Sequence, residues 1–225
     1  VAYLINDNLI WVCTTKCASF SIENALLNSN LKLEKYQESF TKGRHIHPPL
    51  VECLNYFGHK ESVCITRDWF ERWLSAFNYI WDIIELYTTY TPIYKLEDID
   101  NDIIYNIFND DFVNKLYTGK NEDFLECFLK LIKDDTDVPM VIYSSLPTIL
   151  PERFWKSNEK CTYEFNIKEL DKFVDFIEDR FGEKLQLDTL NASPKRPNKI
   201  IVNDKLKSFV WEKFEKRFEK RNQLI

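Results

Sequence analysis

The chain has 225 residues with 44% hydrophobic and 15% aromatic side chains, enough for a sizeable core and too apolar for a disordered chain. Its net charge of −6 gives no general attraction for nucleic acid, and no apolar run approaches the roughly 20 residues that span a bilayer. The opening "VAYLINDNLIWV" lacks the basic segment and small-residue cleavage site of a secretory leader and does not begin with Met, so the expectation is a cytoplasmic protein whose N-terminus is trimmed or excised from a longer chain.

In chain order, "LIWVCT" (9–14) is a short continuous apolar run, the form of a parallel strand covered on both faces. A turn of small residues follows, and Ser19 or Ser21 is placed to cap a helix carrying Ile22, Ala25 and Leu26. "SVCIT" (62–66) reads as a second buried strand. From Asp68 to about Tyr87, Phe70, Trp73, Phe77, Ile80 and Ile84 recur at helical steps. Residues 121–134 predict another amphipathic helix and "VPMVIY" (138–143) a third strand. Asn166 can cap a helix with Leu170, Phe173, Val174 and Ile177 on its apolar stripe, Glu169 in the capping-box position and Gly182 at its end. A last amphipathic helix is expected over 204–221. Strands alternating with helices, without an evident linker, predict a single α/β domain over 1–225 with a mainly parallel sheet.

Six cysteines are present. Their spacing fits no zinc pattern, and Cys13 and Cys64 fall inside strand-like runs, so reduced, structural thiols are expected. The sequence offers no convincing metal cluster.

Two strand-to-helix turns carry the chemistry. In "TKCASFS" (15–21), Lys16 supplies charge at a helix start, Ser19 and Ser21 supply hydroxyls, and small Cys17 and Ala18 let an anion approach. The G-x-x-x-x-G-K-[ST] pattern of nucleotide triphosphatases is absent. In "VCITRDWFERWLSAF" (63–77), Arg67 ends a strand at the carboxyl edge of the sheet, where open α/β sheets take their ligands. Ser75 lies seven residues beyond Asp68, two helical turns on. Arg67 could instead pair with Asp68 or Glu71, and Lys16 could sit on an ordinary turn.

Together these turns resemble the sulfotransferases that use 3′-phosphoadenosine 5′-phosphosulfate (PAPS). "TKCASFS" is similar to their 5′-phosphosulfate loop, P-K-x-[GA]-[ST]-[ST]-[ST], with Thr15 for proline and Phe20 for a hydroxyl residue. "RDWFERWLSAF" is similar to their 3′-phosphate motif, R-D-P-x-x-R-x-x-S-x-[YF], matching Arg67, Asp68, Arg72, Ser75 and Phe77, with Trp69 for proline. The later "YEFNIKELDKFVDFIEDRFG…LNAS" looks like a helix and cofactor-side loop of the carbohydrate branch.

The resemblance implies a P-loop-like sheet flanked by helices, transfer of a sulfuryl group from PAPS to a hydroxyl of a carbohydrate-like acceptor, and no metal. It implies that Lys16, residues Cys17, Ala18, Ser19, Phe20 and Ser21, Arg67 and Ser75 hold the cofactor, with Lys16 also stabilising the leaving phosphate. In "HIHPPLVECLNYFG" it implies that one histidine of the H-x-H is the general base; placement favours His47, with His45 in support. Loop histidines, and Glu38 or Glu52 as base, are the alternatives; His59, beside Lys60 and Glu61, is expected to be solvated. Lys195, Arg196 and Lys199 in "SPKRPNK" are a further candidate cofactor contact, with a solvated basic turn as the alternative. "ERFW" (152–155) is expected to pack in the core, with stacking on a sugar as the alternative. The rival functions are a sulfotransferase for a small lipid or metabolite hydroxyl and a non-catalytic module that binds the product 3′-phosphoadenosine 5′-phosphate (PAP).

Overall fold

The computed structural model describes residues 2–36, 48–87, 93–117, 146–152, 156, 160–188 and 199–218. The chain forms two compact units, one from Val1–Arg72 with Glu152–Ala192 and the other from Trp73–Pro151 with Ser193–Ile225.

The first unit is built on five strands: β1 (Ala2–Ile5), β2 (Leu9–Val12), β3 (Leu33–Lys35), β4 (Glu61–Thr66) and β5 (Tyr163–Asn166), in the order β3-β1-β2-β4-β5. β2, β4 and β5 run parallel, with Val12 opposite Cys64 and Cys64 opposite Glu164. β1 is antiparallel to both β2 and β3. The sheet is therefore mixed, where the sequence reading expected it mainly parallel. The cause is "AYLI-NDN-LIWV". Asn6 and Asp7 take left-handed backbone (φ 47° and 58°), and the Asn8 N–H donates to the Ile5 carbonyl at 3.0 Å. Two consecutive left-handed residues make the tight turn whose twist suits a hairpin, and Asn and Asp tolerate that conformation better than most.

Alternation sorts the apolar strands onto two buried faces. Tyr3, Ile5, Leu9, Trp11, Val63 and Ile65 join Ile22, Ala25 and Leu26 of α1 (Ser19–Leu27) and Phe173 and Ile177 of α6 (Leu170–Phe181). Ala2, Leu4, Ile10, Val12 and Cys64 join Leu50, Cys53 and Phe57 of α2 (Leu50–Phe57). Coverage on both sides is why these strands read as unbroken apolar runs. Asn166 caps the 3₁₀ turn leading into α6 by accepting from the Lys168 N–H at 2.9 Å, and Gly182 ends the helix at φ 71°. Glu169, expected in a capping box, pairs with Lys172.

α3 (Trp69–Tyr87) begins in the first unit and ends in the second. The second unit also holds α4 (Asn101–Ile107), α5 (Asp110–Leu116) and α7 (Asp204–Val210), the last running on through a π-helical turn, Trp211–Glu215. Asp100, Asn109 and Asn203 cap α4, α5 and α7 through side-chain oxygens. Trp73 stacks on Phe77 (5.4 Å between ring centroids), and both meet the edge of Phe108. Phe214 closes this cluster against Trp73 and Phe108. Asp110 binds Lys213 at 2.6 Å and Arg217 at 2.7 Å.

The expected helix over 121–134, the expected strand over 138–143 and residues 153–155 lie outside the described residues. Among the described residues, no helix is long and apolar enough to cross a membrane.

Candidate anion-binding site

The parallel pairing of β2 with β4 sets the two motif turns side by side at the carboxyl ends of the strands. Three hydrogen bonds tie them together. The Thr14 hydroxyl donates to the Ile65 carbonyl. Arg72 Nη1 donates to Thr15 Oγ1 at 3.4 Å, with Arg72 fully buried and Thr15 nearly so. Arg67 Nη1 donates to the Lys16 carbonyl at 3.4 Å. The bond from Arg72 pairs a buried threonine hydroxyl with one end of a buried guanidinium, and buried polar groups are costly where they lack such a partner. Thr15, which stands where the resembled motif has proline, is thus an anchor for the first turn.

The first turn contains no glycine, yet Lys16 (φ 61°) and Ala18 (φ 57°) are left-handed. Ala18 is the N-cap of α1, no side chain caps that helix, and its first turn holds no acidic residue. This corrects the expectation that Ser19 or Ser21 caps it. The Ser19 hydroxyl bonds to the Cys13 thiol, and Ser21 is buried within the first helical turn. Cys17 turns into the core; burial, with the nearby Glu152 carboxylate adding, pushes its thiol up to about 12. Phe20 is 54% exposed. Lys16 is half-buried.

The second turn is capped from within. The Asp68 carboxylate accepts from the Phe70 N–H at 3.1 Å and the Glu71 N–H at 2.9 Å. Arg67 Nε lies 3.6 Å from Glu71 Oε2, so of the two pairings open in the sequence the one with Glu71 forms. Trp69, at the proline position of the resembled motif, is the first residue of α3 and meets Phe70 edge-on. Ser75 is half-buried on α3, in the part belonging to the second unit.

Glu152 is the residue sequence reasoning missed. Its Oε2 accepts from the Arg67 N–H at 3.1 Å, and its Oε1 pairs with Lys156 at 3.1 Å. Nothing in the sequence points from residue 152 to the turn at 67, because the link depends on the tertiary fold. Around the two turns, Lys16, Arg67 and Arg72 thus meet the carboxylates of Asp68, Glu71 and Glu152, with Lys156 also holding Glu152 and Lys168 also holding Glu71.

His45, His47, Glu38, Lys195 and Arg196 lie outside the described residues. Glu52, the fallback base, is half-buried on α2 and accepts from the Tyr36 hydroxyl at 3.3 Å. His59 is exposed. A shallow groove of about 460 Å³, lined by Phe165, Lys172, Asp175, Phe176, Asp179 and Arg180, includes none of the sequence-predicted site residues.

Comparison of the chain with protein-family models, curated proteins and solved structures gives no match.

Proposed function

We propose that the chain is a sulfotransferase that moves a sulfuryl group from PAPS to a hydroxyl of a carbohydrate-like acceptor. The observation that carries the reading is the hydrogen bond from Arg67 to the Lys16 carbonyl, which joins the two resembled cofactor motifs at adjacent parallel strand ends. The uncapped, acid-free start of α1 adds support: its amides and dipole favour an external anion. In this reading the backbone of Cys17–Ser21 and the Lys16 ammonium take the 5′-phosphosulfate. Arg67 takes the 3′-phosphate, and Ser75 enters on its place in the motif.

In the transfer the acceptor oxygen forms a bond to sulfur while the bond from sulfur to the bridging phosphate oxygen breaks. Negative charge grows on the leaving phosphate, where Lys16 stabilises it, and the acceptor proton passes to a base, His47 in the sequence reading. A loose in-line transition state depends on positioning and charge more than on covalent help. The carbohydrate acceptor rests on the resemblance of the H-x-H segment to that branch.

Calorimetry with PAP tests the site. The wild-type chain binds, and Arg67→Ala loses about 2 kcal/mol, roughly 30-fold. Equal affinity in a folded Arg67→Ala protein removes the assignment. PAP binding without turnover of any hydroxyl acceptor, screened with radiolabelled PAPS, identifies a non-catalytic PAP-binding module instead.

A further inference from the structure

The pairing of β4 with β5 brings together two thiols that are distant in sequence. Cys64 faces Glu164 across the pair, and Cys161 enters just ahead of β5. The two sulfurs and a Glu164 oxygen all lie within 4.8 Å of one another. Cys64 is fully buried and Cys161 is 5% exposed. The Cys64 thiol is hydrogen-bonded to Cys161, and the Ser62 hydroxyl reaches the same sulfur. Glu164 Oε1 accepts from the Cys161 N–H at 3.2 Å and from Lys156 Nζ at 3.1 Å.

Two chemistries use such a group: a thiophilic metal, or the two thiols reacting with each other. The carboxylate decides between them. It already holds the Lys156 ammonium, so a metal ion on Glu164 would sit beside a positive charge. Cys53, a third thiol in the same apolar cluster, is directed elsewhere. It donates to the Pro48 carbonyl at 3.7 Å, and burial pushes it up to about 12.

We propose that Cys64 and Cys161 are a redox-active dithiol that hydrogen peroxide converts to an intramolecular disulfide. Cys161 is the attacking group, because of the two it is the one with some exposure, 5% against none for Cys64. The bond from Cys64 holds it below the ordinary thiol range, with Ser62 and Lys156 acting in the same direction against burial and the Glu164 carboxylate. The same contact, with burial, holds Cys64 far above that range. The Cys161 thiolate attacks one peroxide oxygen, a sulfur–oxygen bond forms, the oxygen–oxygen bond breaks, and hydroxide leaves as water with the thiol proton. Cys64 sulfur then attacks Cys161 sulfur and displaces the second oxygen, which leaves as water with the Cys64 proton. Two thiols lose two electrons, and one peroxide becomes two waters.

The test treats the folded full chain with stoichiometric hydrogen peroxide, blocks remaining thiols with N-ethylmaleimide and maps linkages by mass spectrometry. The expected result is loss of two of the six thiols, one Cys64–Cys161 linked peptide, and recovery of both thiols with dithiothreitol. Cys64→Ser should leave a sulfenic acid on Cys161 that dimedone traps, and Cys161→Ser should slow peroxide consumption at least tenfold. If a variant does not fold, the wild-type map still decides. A Cys53–Cys161 link, sulfinic acid on Cys161 with Cys64 still free, or an unchanged thiol count overturns the proposal. So does stoichiometric zinc in the purified protein whose chelation is required before Cys64 and Cys161 react.

Discussion

The two strand-to-helix turns of the first unit solve the same problem in opposite ways. Each must satisfy the unpaired N–H groups at the start of a helix. The turn into α3 does so with its own carboxylate: Asp68 accepts from two of those amides. The turn into α1 has no capping side chain and no acid in its first helical turn, and it holds two left-handed residues that bear side chains. A helix start that already contains a carboxylate has no use for an external anion; one without it does. In the proposed reading this difference puts the phosphosulfate at the first turn. In that reading the second turn contributes through Arg67, which donates to the Lys16 carbonyl of the first turn, and not through its amides.

The sharpest way to break this contrast is Lys16→Ala, which keeps a side-chain-bearing residue at the left-handed position and removes only the charge. Turnover should fall by about 10²–10³, the usual loss for one group that stabilises transition-state charge, with the denaturation midpoint nearly unchanged. Retained turnover in single-turnover assays moves the charge stabilisation elsewhere.

Alkali separates the turns next, because the first is flanked by two buried thiols. Burial pushes Cys13 up to about 11 and Cys17 up to about 12 from the ordinary 9.0. Between 9 and those values the unfolded chain gives up protons that the native chain retains. This stability is therefore complete below 9 and is lost as pH rises, with a slope of up to about 1.4 kcal/mol per pH unit for each thiol. Urea midpoints at pH 8 and pH 10 should show the fall, and Cys17→Ala should shrink it. An equal fall in that variant means the Cys17 thiol is not the source.

Asp68→Ala should cost about 1 kcal/mol of stability as a lost cap while leaving PAP affinity nearly unchanged. Chemical denaturation and calorimetry on the same variant read both quantities. A large loss of PAP affinity would show that the second turn does more than present Arg67. The smallest effect is expected from Ala18→Gly: release of a left-handed alanine should raise stability by about 0.5 kcal/mol after the entropy cost of glycine. A lower melting temperature would show that the packing of the Ala18 methyl against the core outweighs the strain.

What the sequence disclosed follows from range. β2, β4, α1, α3 and α6 are legible because an apolar run or a helical stripe is a local pattern, and the motif residues Lys16 and Arg67 stand at the strand ends such patterns mark. β1 escaped because its four residues sit within an apolar opening stretch; "NDN" between two such runs is the signal that could have revealed the hairpin. The capping of α1 differs from the expectation because Ser19 has the right chemistry one residue inside the helix, and the N-cap position falls to Ala18, which has no polar side chain to cap with. Arg72 was visible as a motif match, but its role as the buried partner of Thr15 was not. The contacts of Glu152 with Arg67 and of Cys161 with Cys64 depend on register between strands far apart in the chain, and no local pattern encodes that.

The left-handed pair Lys16 and Ala18 has a consequence for how a ligand is received. Phosphate loops rich in glycine are supple, because glycine visits many backbone conformations before anything binds. A turn that holds the same curvature with side-chain-bearing residues, pinned by Thr14 to Ile65 and by Thr15 to Arg72, has few other shapes to visit. Its ordering is completed when the protein folds. In the proposed reading an incoming anion then meets a cradle already in shape, and little of the binding free energy goes into arranging it.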